Sequence, residues 1–398
     1  MPESTAAYSI DSRITRFAPP EPIVSSDAAA ALARPIEIQT ETAMRTRSRA
    51  ESRLAESRLA EAALAQSALA QSALAPSALA ESALAESALT PQSLRAAPTR
   101  PEPARTGVRG LLSSVGIRVG PSAAEQAQRD SDARLARDET VIRQATWTRA
   151  VSVLVANRKG GVGKTPVSLL LGGTLASVRG GSVCVLEVSD DPGALGYRAE
   201  GSPANGLGEL LGALGRVSTA GQLAGYTAPQ TSFASVIGSV GDRRALTRDD
   251  VLQLCGLIDA FYGIRVMDSG NQTSSPVFAG ALDTADALVI PVLNSGDAVF
   301  DALSLLERLR RMGGRPAHLA DNAIIMRLTD GRPVHPQVME RVDRVIARAG
   351  VAGVFSVPFD AHIAERGELT LGSLDPATYR VFAAAAATIV SSLRIPTN

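Results

Sequence analysis

Lysine is almost absent from this 398-residue chain: of 40 basic side chains, only Lys159 and Lys164 are lysine and the other 38 are arginine. Aromatic residues make up 4% of the sequence and cysteine occurs twice. Two cysteines cannot build the disulfide framework that staples small secreted domains. Cys184 and Cys255 both sit in apolar runs, which fits buried thiols in a reducing compartment. Net charge is also absent: 17 basic residues face 17 acidic ones before Arg149, and 23 face 23 from there on. The global electrostatic footprint of a strongly basic nucleic-acid binder is therefore missing, and any such surface has to be a local patch. No run of about 18 apolar residues exists to cross a membrane as a helix. The opening "MPESTAAYSI" lacks the basic and apolar regions of a secretory signal, and a cytoplasmic location is expected.

What is present is unevenly distributed. Up to about Arg149 the chain is rich in Ala, Ser, Pro, Glu and Arg with few large apolar residues; from there on Val, Leu, Ile and Gly recur in compact runs. Between Glu51 and Thr90 a five-residue unit repeats eight times, as in "ESRLA" and "QSALA". On a helix, a step of five residues turns each leucine by about 140°, so the leucines spread around the circumference and make no stripe to bury. The same units resemble those of pentapeptide-repeat β-helices, with Ala or Arg where Asp or Asn usually precedes the central Leu. A low-complexity repeat that is disordered or transiently helical is the simpler expectation. The expected organisation is a low-complexity region over 1–122 with its repeat at 51–90, a connecting helix over 123–148, and one globular domain over 149–398.

In that domain "VSVLVA", "SVCVLEV", "GIRVMD", "DALVIPV", "NAIIMRL" and "GVFSVP" read as buried strands. They alternate with helical patterns, including one that follows the first strand to about Val178 and others over Phe300–Met312, Val338–Ala349 and Ala377–Leu393. Alternation of this kind predicts an α/β fold, a parallel sheet with helices on both faces.

Both lysines fall in one loop after the first strand, "NRKGGVGKTPVS". Lysine is a compact point charge on a thin stem, able to enter a nest of backbone amides beside a phosphate, where a broad guanidinium would displace them. An ordinary P-loop has glycine five places before the one in G-K-[ST], but Arg158 holds that place. The pattern that does fit is K-G-G-x-G-K-[ST], the deviant Walker A motif, and with it the chain resembles the ParA/MinD family of P-loop ATPases. The resemblance runs from Val151 to about Leu393 and implies a doubly wound parallel P-loop NTPase sheet that binds ATP and Mg²⁺. Residues 159–166 (Lys159, Gly160, Gly161, Val162, Gly163, Lys164, Thr165 and Pro166) are then the nucleotide-binding segment. Glycines let successive N–H groups face the phosphates. Lys164 neutralises β/γ oxygens, and Thr165 ligates Mg²⁺ together with Asp268 at the Walker B position. By resemblance, Lys159 reaches across a dimer interface to the partner subunit's nucleotide.

Departures from the family pattern are specific. In "EVSDDPG" Ser189 stands where the first Asp of D-x-D-P is usual; Asp191 is the expected water-positioning residue, with Asp190 as a rival and an ordinary Asp-Pro turn as a third reading. Ser269-Gly270-Asn271 replaces the usual T-P-P after Asp268. Pro166 replaces a Thr and supplies neither N–H nor hydroxyl toward the α-phosphate, although proline is comfortable in a helix's first turn. "SVPFDAHIAERGEL" is expected near the base.

Two functions follow from the resemblance. One is a ParA-type ATPase, a homodimer on ATP, that partitions or positions DNA or another cargo and is released by a ParB-like or other activator. Its DNA contacts would be non-specific, through Arg308, Arg310, Arg311 and Arg315, with a nucleoid-associated location; a solvated helix face explains the same arginines. The other is a MinD-like ATPase linked to secretion, conjugation or division-site positioning. The sequence closes at "SSLRIPTN" without a basic amphipathic helix, so a membrane tail is not expected. A nitrogenase-type reductase lacks its paired cluster cysteines here.

Overall fold

The computed structural model describes residues 120–393. The repeat at 51–90, the remainder of the chain before residue 120, and the final residues 394–398 lie outside the described residues.

The apolar runs of the sequence become the strands of one sheet: β1 (Val151–Val155), β2 (Val183–Val188), β3 (Ala228–Pro229), β4 (Ser235–Ile237), β5 (Ile264–Ser269), β6 (Ala287–Leu293), β7 (Ile324–Leu328) and β8 (Gly353–Val357). Their spatial order is β3-β4-β2-β5-β1-β6-β7-β8, with β1 central and every pairing parallel except β3 on β4. The six runs expected as strands are β1, β2, β5, β6, β7 and β8. The antiparallel edge of β3 and β4 is too short to carry a period, and Pro229 sits on its outermost strand, where no further ladder bond is needed.

Longer helices cover both faces: α1 (Ala123–Gln144), α2 (Lys164–Arg179), α3 (Arg248–Asp259), α4 (Pro276–Thr284), α5 (Gly296–Met312), α6 (Gly314–Asp321), α7 (Pro336–Ala347) and α8 (Pro376–Ser392). Strand side chains alternate between two cores. Leu154, Leu186, Met267 and Ile290 pack with Leu254 of α3, Phe278 of α4 and Leu305 of α5, whereas Val153, Val185, Val266 and Val289 pack with Leu171 of α2 and Phe382 of α8. Gly172 sets how closely α2 approaches the sheet, since a Cβ there would lie 2.4 Å from a methyl of Val185. Cys184 and Cys255 are buried and unpaired, as their apolar surroundings predict, and burial pushes both thiols up from their ordinary range.

The helix before the domain is bonded to it. Ile142 of α1 is fully buried in the core of α2 and α8, and Arg179 donates to the carbonyls of Ile142 (2.8 Å) and Ala145 (2.9 Å) while lying over the Trp147 ring. Arg380 of α8 pairs with Asp132 at 2.9 Å, and the Tyr379 hydroxyl donates to Glu139. Residues 123–145 thus complete one face of the domain, so two changes at this end are expected to behave differently. Ile142→Ala should cost about 2–5 kcal/mol, as for other large-to-small changes in a core. Removal of residues 1–119, which keeps the Ser122 cap of α1, should leave the urea midpoint unchanged. Urea denaturation of both proteins checks this.

Candidate nucleotide site

At the end of β1 the chain turns through a loop held from within. Asn157 is buried; its amide donates to the Pro291 carbonyl (2.8 Å) and its side-chain oxygen accepts from the Lys159 N–H (3.0 Å). Gly161 (φ 74°) and Gly163 (φ 95°) take left-handed conformations, and a Cβ on Gly163 would lie 2.7 Å from Leu328. Val162 is buried, and α2 starts at Lys164 with Val167 N–H bonded to Gly163 O, so Pro166 sits in the first turn, where its missing N–H leaves no ladder bond unmade. Gly161, Gly163, Lys164, Thr165 and Pro166 line a cavity of 580 Å³. A helix N-terminus and a curled glycine backbone opening on one cavity make an anion site by geometry.

Asp268 faces that helix from β5, the strand beside β1, in register with Val155 on one side and Glu187 on the other. Thr165 donates to one of its oxygens (2.7 Å) and Ser168 to the other (3.1 Å). Burial pushes the Asp268 carboxyl up to about 6, against the opposing pull of those two hydroxyls and of Lys164. Burial likewise pushes Lys164 down, with Asp268 opposing. The Lys164 ammonium donates to the Lys159 carbonyl at 3.1 Å and to the Asn271 side chain. The segment Ser269-Gly270-Asn271, which departs from the family pattern, therefore supplies a lysine ligand. Ser168 was legible in principle, being one helical turn from both Lys164 and Thr165.

The loop after β2 carries Asp191, the carboxylate expected to position water, and its rival Asp190. Asp191 is exposed, and neither it nor Asp190 is among the cavity's described lining residues; Glu187, Ser189, Gly193 and Ala194 form that wall. Glu187 on β2 is buried and accepts at one oxygen from Arg243 (2.9 Å), Ser239 Oγ (2.6 Å), Ser189 Oγ (3.1 Å) and Gly193 N–H (3.0 Å). Arg243 also donates to the carbonyls of Ser189 (2.9 Å), Asp190 (3.0 Å) and Asp191 (3.1 Å). One buried ion pair thus fixes the backbone of the loop over 189–193. A charge six residues before Gly193 and another beyond β4 share no sequence period, which is why spacing does not reveal them. Arg243→Met would leave Glu187 buried without its cation; an expected loss of about 3–5 kcal/mol is to be read from chemical denaturation.

The remaining predicted residues divide. Lys159 stands at the rim, half exposed, with its ammonium 2.8 Å from Asp297 at the start of α5, which holds Lys159 above its ordinary range and Asp297 below. Gly160 packs against Asn271. The segment expected near the base borders the cavity through Pro358, Asp360 and Arg366, beside Thr329 and Arg332 after β7. Of the four arginines on and after α5, Arg310 is bound to Asp321 (2.7 Å) and to the Ala349 and Gly350 carbonyls, and Arg315 to Asp286 (2.9 Å) and the Ala285 carbonyl. Arg308 reaches Thr273 at 3.4 Å, and Arg311 is exposed. Two of the four guanidiniums, those of Arg310 and Arg315, are thus tied to carboxylates within the domain.

A phosphate-sized nest between the central strand and its helix, with a lysine and a hydroxyl set against a buried carboxylate from the neighbouring strand, defines a P-loop nucleotide-binding domain. Residues 153–371 match the family described as the CobQ/CobB/MinD/ParA nucleotide binding domain, and the chain belongs to that family. It is 28% identical over 270 residues to the ESX-1 secretion-associated protein EspI of Mycobacterium tuberculosis (strain ATCC 25618 / H37Rv), a match covering 65% of this chain and 38% of that protein. The chain thus spans well under half the length of this curated relative. Among solved structures it is similar to a ParA family ATPase from Chlorobium tepidum (18% identity, TM-score 0.46, 62% of this chain and 98% of that one). It is also similar to the MinD cell division protein of Aquifex aeolicus (16% identity, TM-score 0.44, 63% and 100%).

Proposed function

We propose that the protein is a Mg²⁺-dependent ATPase that forms a homodimer on ATP across the face carrying the cavity and returns to monomer after hydrolysis. The observation that carries this reading is the rim of that face. Tyr197 (75% exposed), Phe300 (69%) and Phe359 (50%) follow the C-terminal ends of β2, β6 and β8, so three large apolar side chains stand in water on the edge of the sheet that bears the nest. Exposed apolar side chains beyond the strand ends that bear the nest suit burial against a second copy. Lys159, on the loop of the nest, is half exposed and its ammonium is held by Asp297 within the chain.

Thr165 and Asp268 offer two hard oxygens 2.7 Å apart, a donor set that fits Mg²⁺. Bound there, the ion would neutralise charge on the β- and γ-phosphates. Lys164 and the amide nest hold the phosphates, while the Glu187–Arg243 pair keeps the loop over 189–193 in one conformation. Asp191 stands exposed on that loop and is assigned the positioning of water.

The cargo is the finer question. Partition or positioning of DNA by way of Arg308, Arg310, Arg311 and Arg315, with a ParB-like activator, is the first reading. The ties of Arg310 and Arg315 within the domain favour the second, a secretion-linked ATPase, and so does the likeness to a protein whose name associates it with ESX-1 secretion. Among the described residues no helix is long and apolar enough to cross a membrane.

Lys164→Ala is expected to abolish ATP binding by calorimetry, and wild-type affinity in that variant would remove the P-loop assignment. Lys159→Ala is expected to bind ATP as wild type does yet remain a monomer in sedimentation velocity with ATP. Asp297→Asn releases Lys159 from its partner within the chain and should favour the dimer severalfold. Retention of the protein on DNA only with ATP would support the first reading of cargo over the second.

A further inference from the structure

A second cluster of positive charge lies in the nucleotide cavity, away from the P-loop nest. Arg198, at the end of the short helix Leu195–Arg198, lines the cavity with only 8% of its surface exposed. Its Nε is buried without a hydrogen-bond partner among the described residues, and its Nη2 reaches only the Ile363 carbonyl, at 3.5 Å. The Leu369 N–H bonds to the Arg198 carbonyl at 2.8 Å, which draws the segment after β8 across to the segment after β2. That crossing brings Arg366 to the same cavity, its backbone in the left-handed region (φ 58°) that non-glycine residues seldom adopt. Neither guanidinium has a carboxylate within ion-pair distance among the described residues, and Arg198 is pushed below its ordinary range by burial and then by the like charge of Arg366. Burying an arginine beside a second arginine, with no counter-charge, is unfavourable unless an anion enters.

We propose that Arg198 and Arg366 form an oxyanion subsite of this cavity, distinct from the P-loop nest, that takes a phosphate group. The proposal rests on the reading of the cavity as a nucleotide site. A guanidinium is a planar fork of donors matched to two phosphate oxygens. Pro166, which lines the same cavity, supplies neither the N–H nor the hydroxyl expected there for the α-phosphate, so a donor set is missing from this cavity. The phosphate is either that α-phosphate, in a nucleotide already held by Lys164, or the phosphate of a separate small ligand.

Two titrations of the full chain test the subsite. ATP is titrated calorimetrically into wild type, Arg198→Gln, Arg198→Lys and Arg366→Gln. Inorganic phosphate is titrated into Lys164→Ala, whose nest is disabled, and into the same protein carrying each arginine change. If the α-phosphate is the occupant, both Gln variants weaken ATP binding about tenfold to a hundredfold, as expected for hydrogen bonds to a charged group, and Arg198→Lys recovers part of the loss. If the ligand is separate, ATP affinity is unchanged while phosphate binding to Lys164→Ala disappears with either arginine. Unchanged titrations in both series would overturn the proposal and leave Arg198 as a brace for the Ile363 segment. Should Arg198→Gln fail to fold, Arg198→Lys and the exposed Arg366→Gln decide. A wild type that binds no ATP would instead remove the ATPase reading, and the phosphate titration would then judge the subsite alone.

Discussion

Asp268 is the residue on which the arrangement turns. It is buried at the end of a central strand, and its two oxygens are occupied by hydroxyls from consecutive turns of α2, Thr165 and Ser168. A carboxylate in that position would be costly unless paired and hydrogen-bonded. Those two bonds fix the rotation of α2 about its axis, and with it the direction in which Lys164 and the loop amides point. The Lys164 ammonium, in turn, is partnered by the Lys159 carbonyl and the Asn271 side chain. Glycines at 161, 163 and 172 then allow the loop to curl and the helix to approach the sheet.

Much of this was legible from residue order. Parallel strands buried on both faces must be apolar along their length, so six β-branched runs announced six strands. The spacing of Lys159, Gly163, Lys164 and Thr165 announced the nest because backbone geometry at a phosphate site leaves little choice of residue. The short edge strands β3 and β4 carried no period. Helix α1 read as a connector because most of its faces are polar, although burial of Ile142 and the bonds from Arg179 join it to the domain. Long-range ion pairs were illegible for a different reason: Glu187 and Arg243 meet only because β2 and the segment beyond β4 are neighbours in space.

The departures from the family pattern fall together in space. Ser189, Asn271 and Pro166 all line the cavity, and each sits beside a group that the pattern does not name. Ser189 bonds to Glu187, Asn271 accepts from Lys164, and Pro166 borders the cavity that Arg198 enters. Substitutions that look like losses when read singly are surrounded by donors and acceptors of other residues. The two lysines of the nest are thus surrounded by side chains that the motif does not name.

The bond from Arg179 to the end of α1 has a mechanical side. A continuous helix of 22 residues is about 33 Å long. Because Arg179 clamps its last turn while Arg380 and Tyr379 of α8 hold Asp132 and Glu139 farther back, the helix is a strut fastened at several points along its length. Loads on such a strut are shared, so cutting the clamp at Arg179 would loosen its last turn first and leave the fastenings to α8 to carry the remainder.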